Sequence, residues 1–188
     1  EKHQMMADSL GTEYDKVHSK YHPSIKGFLE EFGYYDIFLV DPSGNVVYSV
    51  FKELDYATNL NSGPYAGSGI AKAFKNALNK GASQYHLEDF APYFPSYEAA
   101  ASFIATPVKV DNKTIGVLIF QMPVDKINSI MTFGENWSYA GLGNSGETYL
   151  VGPDSLLRSE SRFLLEEPEL YFEELKACLL YTSPSPRD

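Results

Sequence analysis

Apolar residues recur at Met6, Leu10, Tyr14, Val17, Tyr21, Ile25, Phe28 and Phe32. Spacings of three and four put them on one helical face, so a long helix is expected over residues 1–33. At 1.5 Å per residue it would reach roughly 40 Å. Pro23 should kink or restart it, and Gly33 can end it. The pattern then turns from helical to alternating. Residues 35–41 and 46–51 flank the turn Asp41-Pro42-Ser43-Gly44-Asn45, which reads as an antiparallel hairpin. A loop rich in Gly and Asn leads to a short helix with Ile70, Ala73, Phe74, Ala77 and Leu78 on its apolar face and Gly81 at its stop. Residues 85–90 read as a third strand, and 91–98, with Pro92 and Pro95, as loop. Residues 99–110 and 114–122 pair as a second hairpin, whose last strand is nearly all apolar and should be central. Residues 124–131 form another short helix. The expected fold class is α+β, with a five-stranded antiparallel sheet, helices on one face and loops crossing the other.

One segment is written twice. Phe38-Leu39-Val40-Asp41-Pro42 and Tyr149-Leu150-Val151-Gly152-Pro153 open similar hairpins 111 positions apart, each followed by a polar turn and an apolar pair (Val46-Val47, Leu156-Leu157). Such spacing predicts one small domain duplicated. The expected organisation is a helix over 1–33, a first module over 34–132, and the start of a second over 133–177. The last eleven residues, 178–188 (CLLYTSPSPRD), resemble the translation of a transposase sequencing adapter and are set apart from the fold. They hold the only cysteine, so the rest can form neither disulfides nor thiolate metal sites.

The hydrophobic share of 44% and aromatic share of 14% support a real core. A net charge of −10 argues against nucleic acid, because nothing would neutralise phosphates. It mildly favours cationic or zwitterionic ligands.

The order and spacing of YDIFLVDPSGNVVYSV, NLNSGPYAGSGIAKAF, DFAPYFPSYEAAASFIATPV, TIGVLIFQMPVDKINSIMT and GLGNSGETYLVGPDSLLRSESRF resemble the double Cache sensor region of bacterial transmembrane receptors. The resemblance covers residues 1 to about 177. It implies a PAS-like fold in each module, periplasmic exposure and membrane anchoring in the full-length protein. It also implies a cytoplasmic output of chemotaxis, histidine kinase or cyclase type. The membrane-distal module, here the first, would hold a small ligand. Amino-acid-binding members carry an Arg and then a Trp-Tyr pair before the third strand; residues 59–65 contain neither Arg nor Trp.

The candidate ligand-binding residues are Tyr48, Phe51, Tyr65, Tyr85, Asp89, Phe90, Tyr93, Tyr97 and Phe103. Aromatic walls, phenol hydroxyls and one carboxylate would suit an amine, amino acid or carboxylate-bearing solute, with Asp89 as partner for an ammonium. Their ordinary role would be core and sheet cover. Other motifs point elsewhere. Gly141-Leu142-Gly143-Asn144-Ser145-Gly146 matches a dinucleotide fingerprint but precedes a strand instead of opening a helix. Ser68, between Gly67 and Gly69, reads as a helix cap. His18 and His22 stand four apart with no third metal ligand near, and read as solvent-facing. No catalytic constellation, cofactor motif or metal set emerges, so the chain is read as a non-enzymatic sensing domain. A homodimer through the first helix is expected. The alternative is a periplasmic interaction or dimerisation module without a small ligand.

Overall fold

Thr12 starts the first helix, α1 (Glu13–Phe32). Its hydroxyl accepts from the Asp15 N–H at 3.2 Å, and the Asp15 carboxylate accepts from the Thr12 N–H at 2.7 Å. This reciprocal cap satisfies two N-terminal donors and sets the helix origin. Gly33 ends it with φ +70, its N–H bonded to the Leu29 carbonyl. The computed structural model describes residues 2–6, 11–79 and 85–182. Two expected features, Leu10 in the helical stripe and the stop at Gly81, fall outside them. Twenty residues make α1 about 30 Å long. It begins later than its stripe suggested and runs without a break through Pro23.

The described chain divides into two units, Glu1–Pro123 and Val124–Asp188. In the first, β1 (Asp36–Val40), β2 (Val46–Ser49), β3 (His86–Pro92), β4 (Ala100–Val110) and β5 (Lys113–Gln121) form one sheet in the order β2-β1-β5-β4-β3. Every neighbouring pair is antiparallel. Alternation divides β1 between two cores. Phe38 and Val40 join Val117, Ile119, Phe103 and Ala105 beneath α2 (Gly69–Asn79), whose Ile70, Ala73, Phe74 and Ala77 are fully buried. Ile37 packs on the other face with Val50, Tyr48 and Leu29 of α1, beside the half-buried Leu39.

The α+β class and the five antiparallel strands follow the sequence reading, but the helices do not share one face. The sheet is apolar on both sides, as Ile37-Phe38-Leu39-Val40 already requires, so each face needs its own helix. The stripe on α1 only partly faces the sheet, through Ile25. Tyr14, Val17, Tyr21, Phe28 and Phe32 are exposed, whereas His18 and His22 are buried against the sheet. The His22 ring bonds through Nδ1 to the Tyr48 hydroxyl at 2.7 Å and through Nε2 to the His3 carbonyl at 2.8 Å. His18 stacks on it with centroids 4.4 Å apart. Both nitrogens of His22 are hydrogen-bonded, which lets that ring lie inside.

Gly116 sits where β5 passes β1. A Cβ there would stand 2.7 Å from the Val40 carbonyl oxygen. Gly116→Ala should therefore cost about 1–3 kcal/mol through forced separation of two central strands, read from urea melts.

The second unit contains α3 (Val124–Met131), α4 (Arg162–Glu166) and α5 (Pro168–Thr182). Between α3 and α4 lies a narrow ribbon closed by the antiparallel bridge Val151–Leu157. Its turn repeats the one between β1 and β2. Asp41 N–H bonds to the Asn45 carbonyl and Gly44 N–H to the Asp41 carbonyl; Gly152 N–H bonds to the Leu156 carbonyl and Ser155 N–H to the Gly152 carbonyl. Both third residues, Gly44 and Ser155, have positive φ. The 111-residue sequence offset thus also relates these backbone hydrogen bonds.

Candidate ligand-binding site

The segment between β2 and α2 crosses the α2 face of the sheet and is strapped to the β1–β2 turn. Val46 N–H bonds to the Thr58 carbonyl, Leu60 N–H to the Gly44 carbonyl, and Asn59 Nδ2 to the Ser43 carbonyl. This holds Asp55 at 0% exposure, where its Oδ2 accepts from the Tyr93 hydroxyl at 2.6 Å. Tyr93 precedes a 3-10 turn (Phe94–Ser96) whose buried Ser96 hydroxyl accepts from Gln121 Nε2 at 3.0 Å. Gln121 pairs with Asp36 across β5 and β1. The Asp36 carboxylate accepts from the Ile37 and Val50 N–H groups and from the Ser49 hydroxyl, at 2.6 to 2.9 Å. Glu53 Oε1 accepts from the Tyr35 hydroxyl at 3.3 Å.

Acid therefore gathers at one end of this face. Burial pushes Asp36 up to about 7 despite its donors. Burial also raises Asp55, against the hydrogen bond from Tyr93. Glu53 is raised by burial and by the neighbouring Asp55 charge, with Tyr35, Lys2 and Ser96 opposing. Three acceptors remain without a donor, Asp55 Oδ1, Glu53 Oε2 and Gln121 Oε1. Buried acceptors of this kind are commonly completed by ordered water.

Glu53 also borders a cavity of about 760 Å³, lined by Lys2, His3, Phe51, Lys52, Leu54, Phe94, Pro95, Tyr97 and Glu98. That is within the usual range for small-molecule sites. Lys52, Tyr97 and Glu98 on its wall all have positive φ without being glycine. Strain of this kind collects at ligand clamps.

The sequence candidates spread over several places. Phe51 and Tyr97 line the cavity, Tyr97 at 91% exposure. Tyr65, Tyr93 and Phe103 are not among the residues that line it; their rings form a contact chain, with Tyr93 6.3 Å from Tyr65 and 5.1 Å, edge-on, from Phe103. Tyr48 belongs to the opposite face, with His22. Asp89 and Phe90 fall in the β-bulge of edge strand β3, where Asp89 Oδ1 accepts from the Phe90 N–H. Tyr85 precedes that strand and is 68% exposed. Glu53 and Asp55 were not among the candidates; the signal was two carboxylates inside an aromatic stretch, Phe51 to Tyr56. Ser68 does not cap α2 by its side chain, because its hydroxyl donates back to the Tyr65 carbonyl at 2.6 Å. Gly141 and Gly143 lie in turns at positive φ and open no helix. Among the described residues no His, Cys, Asp and Glu group is arranged to hold a metal.

Solved structures share this architecture. The ligand-binding domain of the Campylobacter jejuni chemoreceptor Tlp3, in complex with 4-methylisoleucine, superposes with a TM-score of 0.56 at 14% identity, over 88% of this chain and 59% of that one. The likeness is one of fold. The L-norvaline complex of the Tlp3 domain gives a TM-score of 0.54 at 14% identity, over 95% of this chain and 64% of its own. The chain thus spans about six tenths of those domains. No family model matches the sequence, and no curated protein matches it.

Proposed function

We propose that the chain is the extracytoplasmic, small-ligand-sensing part of a bacterial transmembrane signal-transduction receptor, with the ligand held by the first unit. The observation that carries this reading is the cavity of about 760 Å³ bordered by the half-buried Glu53, with Lys52, Tyr97 and Glu98 at positive φ on its wall. The fold shared with Tlp3 supports it, and the amino acids in the Tlp3 complexes make amino acids a ligand class to test. The recurring turn supports the second unit as the start of a duplicate of the first. Among the described residues no helix is long and apolar enough to cross a membrane. The proposed anchor and output domain would therefore be other parts of the receptor.

Ligand entry would draw segments 55–69 and 91–97 over the cavity. Closure transmits a signal only if it favours one setting of α1, since a ligand shifts an equilibrium by its differential affinity for two states. The test is a thermal-shift screen of amines, amino acids and carboxylates. At least one compound should raise the melting temperature saturably, by roughly 2.7 kcal/mol of stabilisation at a hundredfold excess over Kd. A flat response across the library would refute the reading.

The exposed row Tyr14, Val17, Tyr21, Phe28 and Phe32 favours a second property, self-association through α1. If α1 forms the dimer, sedimentation velocity should show a dimer that Val17→Lys with Tyr21→Lys converts to monomer. A ligand-free interaction module would keep the dimer and fail the screen.

A further inference from the structure

We infer that residues 2–6 are a strap that ties the large cavity to α1, so that a molecule filling the cavity moves the helix through His3. This deepens the ligand-sensing reading and rests on it for the cause of the motion. The segment touches both places at once. At the cavity, Lys2 and His3 are part of the wall. The His3 ring lies against Phe51 with centroids 4.9 Å apart, and Lys2 Nζ donates to the Lys52 carbonyl at 3.4 Å. At α1, the His3 carbonyl accepts from His22 Nε2 at 2.8 Å, and the Met6 carbonyl accepts from His18 Nδ1 at 2.9 Å. The Ser19 hydroxyl stands 2.7 Å from the same Met6 oxygen. His3 thus meets the cavity wall with its ring and the helix with its backbone.

The strap is tethered more than it is packed. Gln4, Met5 and Met6 are exposed. Smaller cavities of about 220 and 300 Å³ flank it, the first lined by Met5 and His18, the second by Met6 and His22. A carbonyl only accepts, so His18 carries a proton on Nδ1 and His22 on Nε2. When the strap lifts, water takes over both N–H groups, and exchanging one hydrogen bond for another changes the free energy little. A close-packed core gives no such easy release. The Tyr48 hydroxyl keeps its bond to His22 Nδ1, so α1 would lose its strap while keeping its seat on β2. Phe51 also packs beside the α1-side core, which gives it a second route to the helix that does not pass through His3.

A double-mutant cycle across the His3–Phe51 contact separates the two routes. Hydrogen exchange of the α1 amides at 17–22 and 24–26 is measured in the full chain, in His3→Ala, in Phe51→Leu and in the double variant. Each single variant should speed exchange there by roughly fivefold or more, since a loosened strap lets the helix open locally. The double variant should fall roughly fivefold or more short of the product of the two effects, because both changes cut one link. Exchange at 70–77 in α2 should stay as it is. His3→Ala alters one partly exposed side chain, so it remains informative if Phe51→Leu does not fold. Effects that multiply in full, or α1 exchange unchanged in His3→Ala, overturn the inference while leaving ligand sensing intact. The cycle uses no ligand, so a flat thermal-shift screen is a separate result: it refutes the sensing reading and, with it, the cavity as the trigger of the strap.

Discussion

Tyr93→Ala is expected to cost about 3–5 kcal/mol of unfolding free energy, the range for removing a buried aromatic side chain. Tyr93 is almost wholly buried, packs edge-on against Phe103, and supplies the hydrogen bond to Asp55. Tyr93→Phe separates these roles. It keeps the ring and should cost about 1–3 kcal/mol, because it strips the buried Asp55 carboxylate of its donor. Without that donor the Asp55 carboxyl should rise further, so the cost of Tyr93→Phe should be larger at pH 8 than at pH 5. Urea melts of the three proteins at both pH values check this. Equal costs for Ala and Phe would mean that the ring contributes little. A pH-independent cost for Phe would mean that Asp55 is not the group affected.

The second large effect is a loss of stability as pH rises. Asp36 has a folded value of about 7 against an ordinary 3.8. Between those values the folded chain holds a proton that the unfolded chain has lost. Its contribution is fully present below 3.8 and is lost as pH climbs through about 7. A shift of this size corresponds to roughly 4 kcal/mol. Glu53 and Asp55 are raised and act in the same direction. His22 opposes them: burial lowers it, so its contribution is present above its ordinary value and is lost on acidification. Stability should therefore peak at mildly acidic pH and decline towards pH 8. Asp36→Asn should flatten the alkaline limb, as measured by urea melts at pH 5, 6, 7 and 8. A wild-type profile that rises steadily to pH 8 would refute this account.

Strands and the second helix were legible because alternation and the i, i+3, i+4 pattern record which residues share a face. Phe38 and Val40 against Ile37 and Leu39, and Ile70 with Phe74 and Ala77, fold as their spacing implies. What spacing cannot record is what covers a face. On α1 most of the apolar row, Tyr14, Val17, Tyr21 and Phe32, is exposed while Ile25 packs on the sheet, and His18 and His22 are drawn in by partners distant in sequence, Met6, His3 and Tyr48. The acids were harder. Glu53 and Asp55 lie in a loop with no period, and only tertiary contacts with Tyr35 and Tyr93 give them a role. Asp36 could have been noticed, since a charge next to the apolar run Ile37 to Val40 must find donors or shift its proton.

The seam beneath α1 is of two kinds. Its half at Ile25 and Leu29 is greasy, and its other half is held to the sheet by the hydrogen bond of His22 with the Tyr48 hydroxyl, with His18 stacked on His22. Grease tolerates sliding, because one methyl replaces another with little change in energy. A directed imidazole–phenol hydrogen bond instead has one preferred register and resists a shift along the strand.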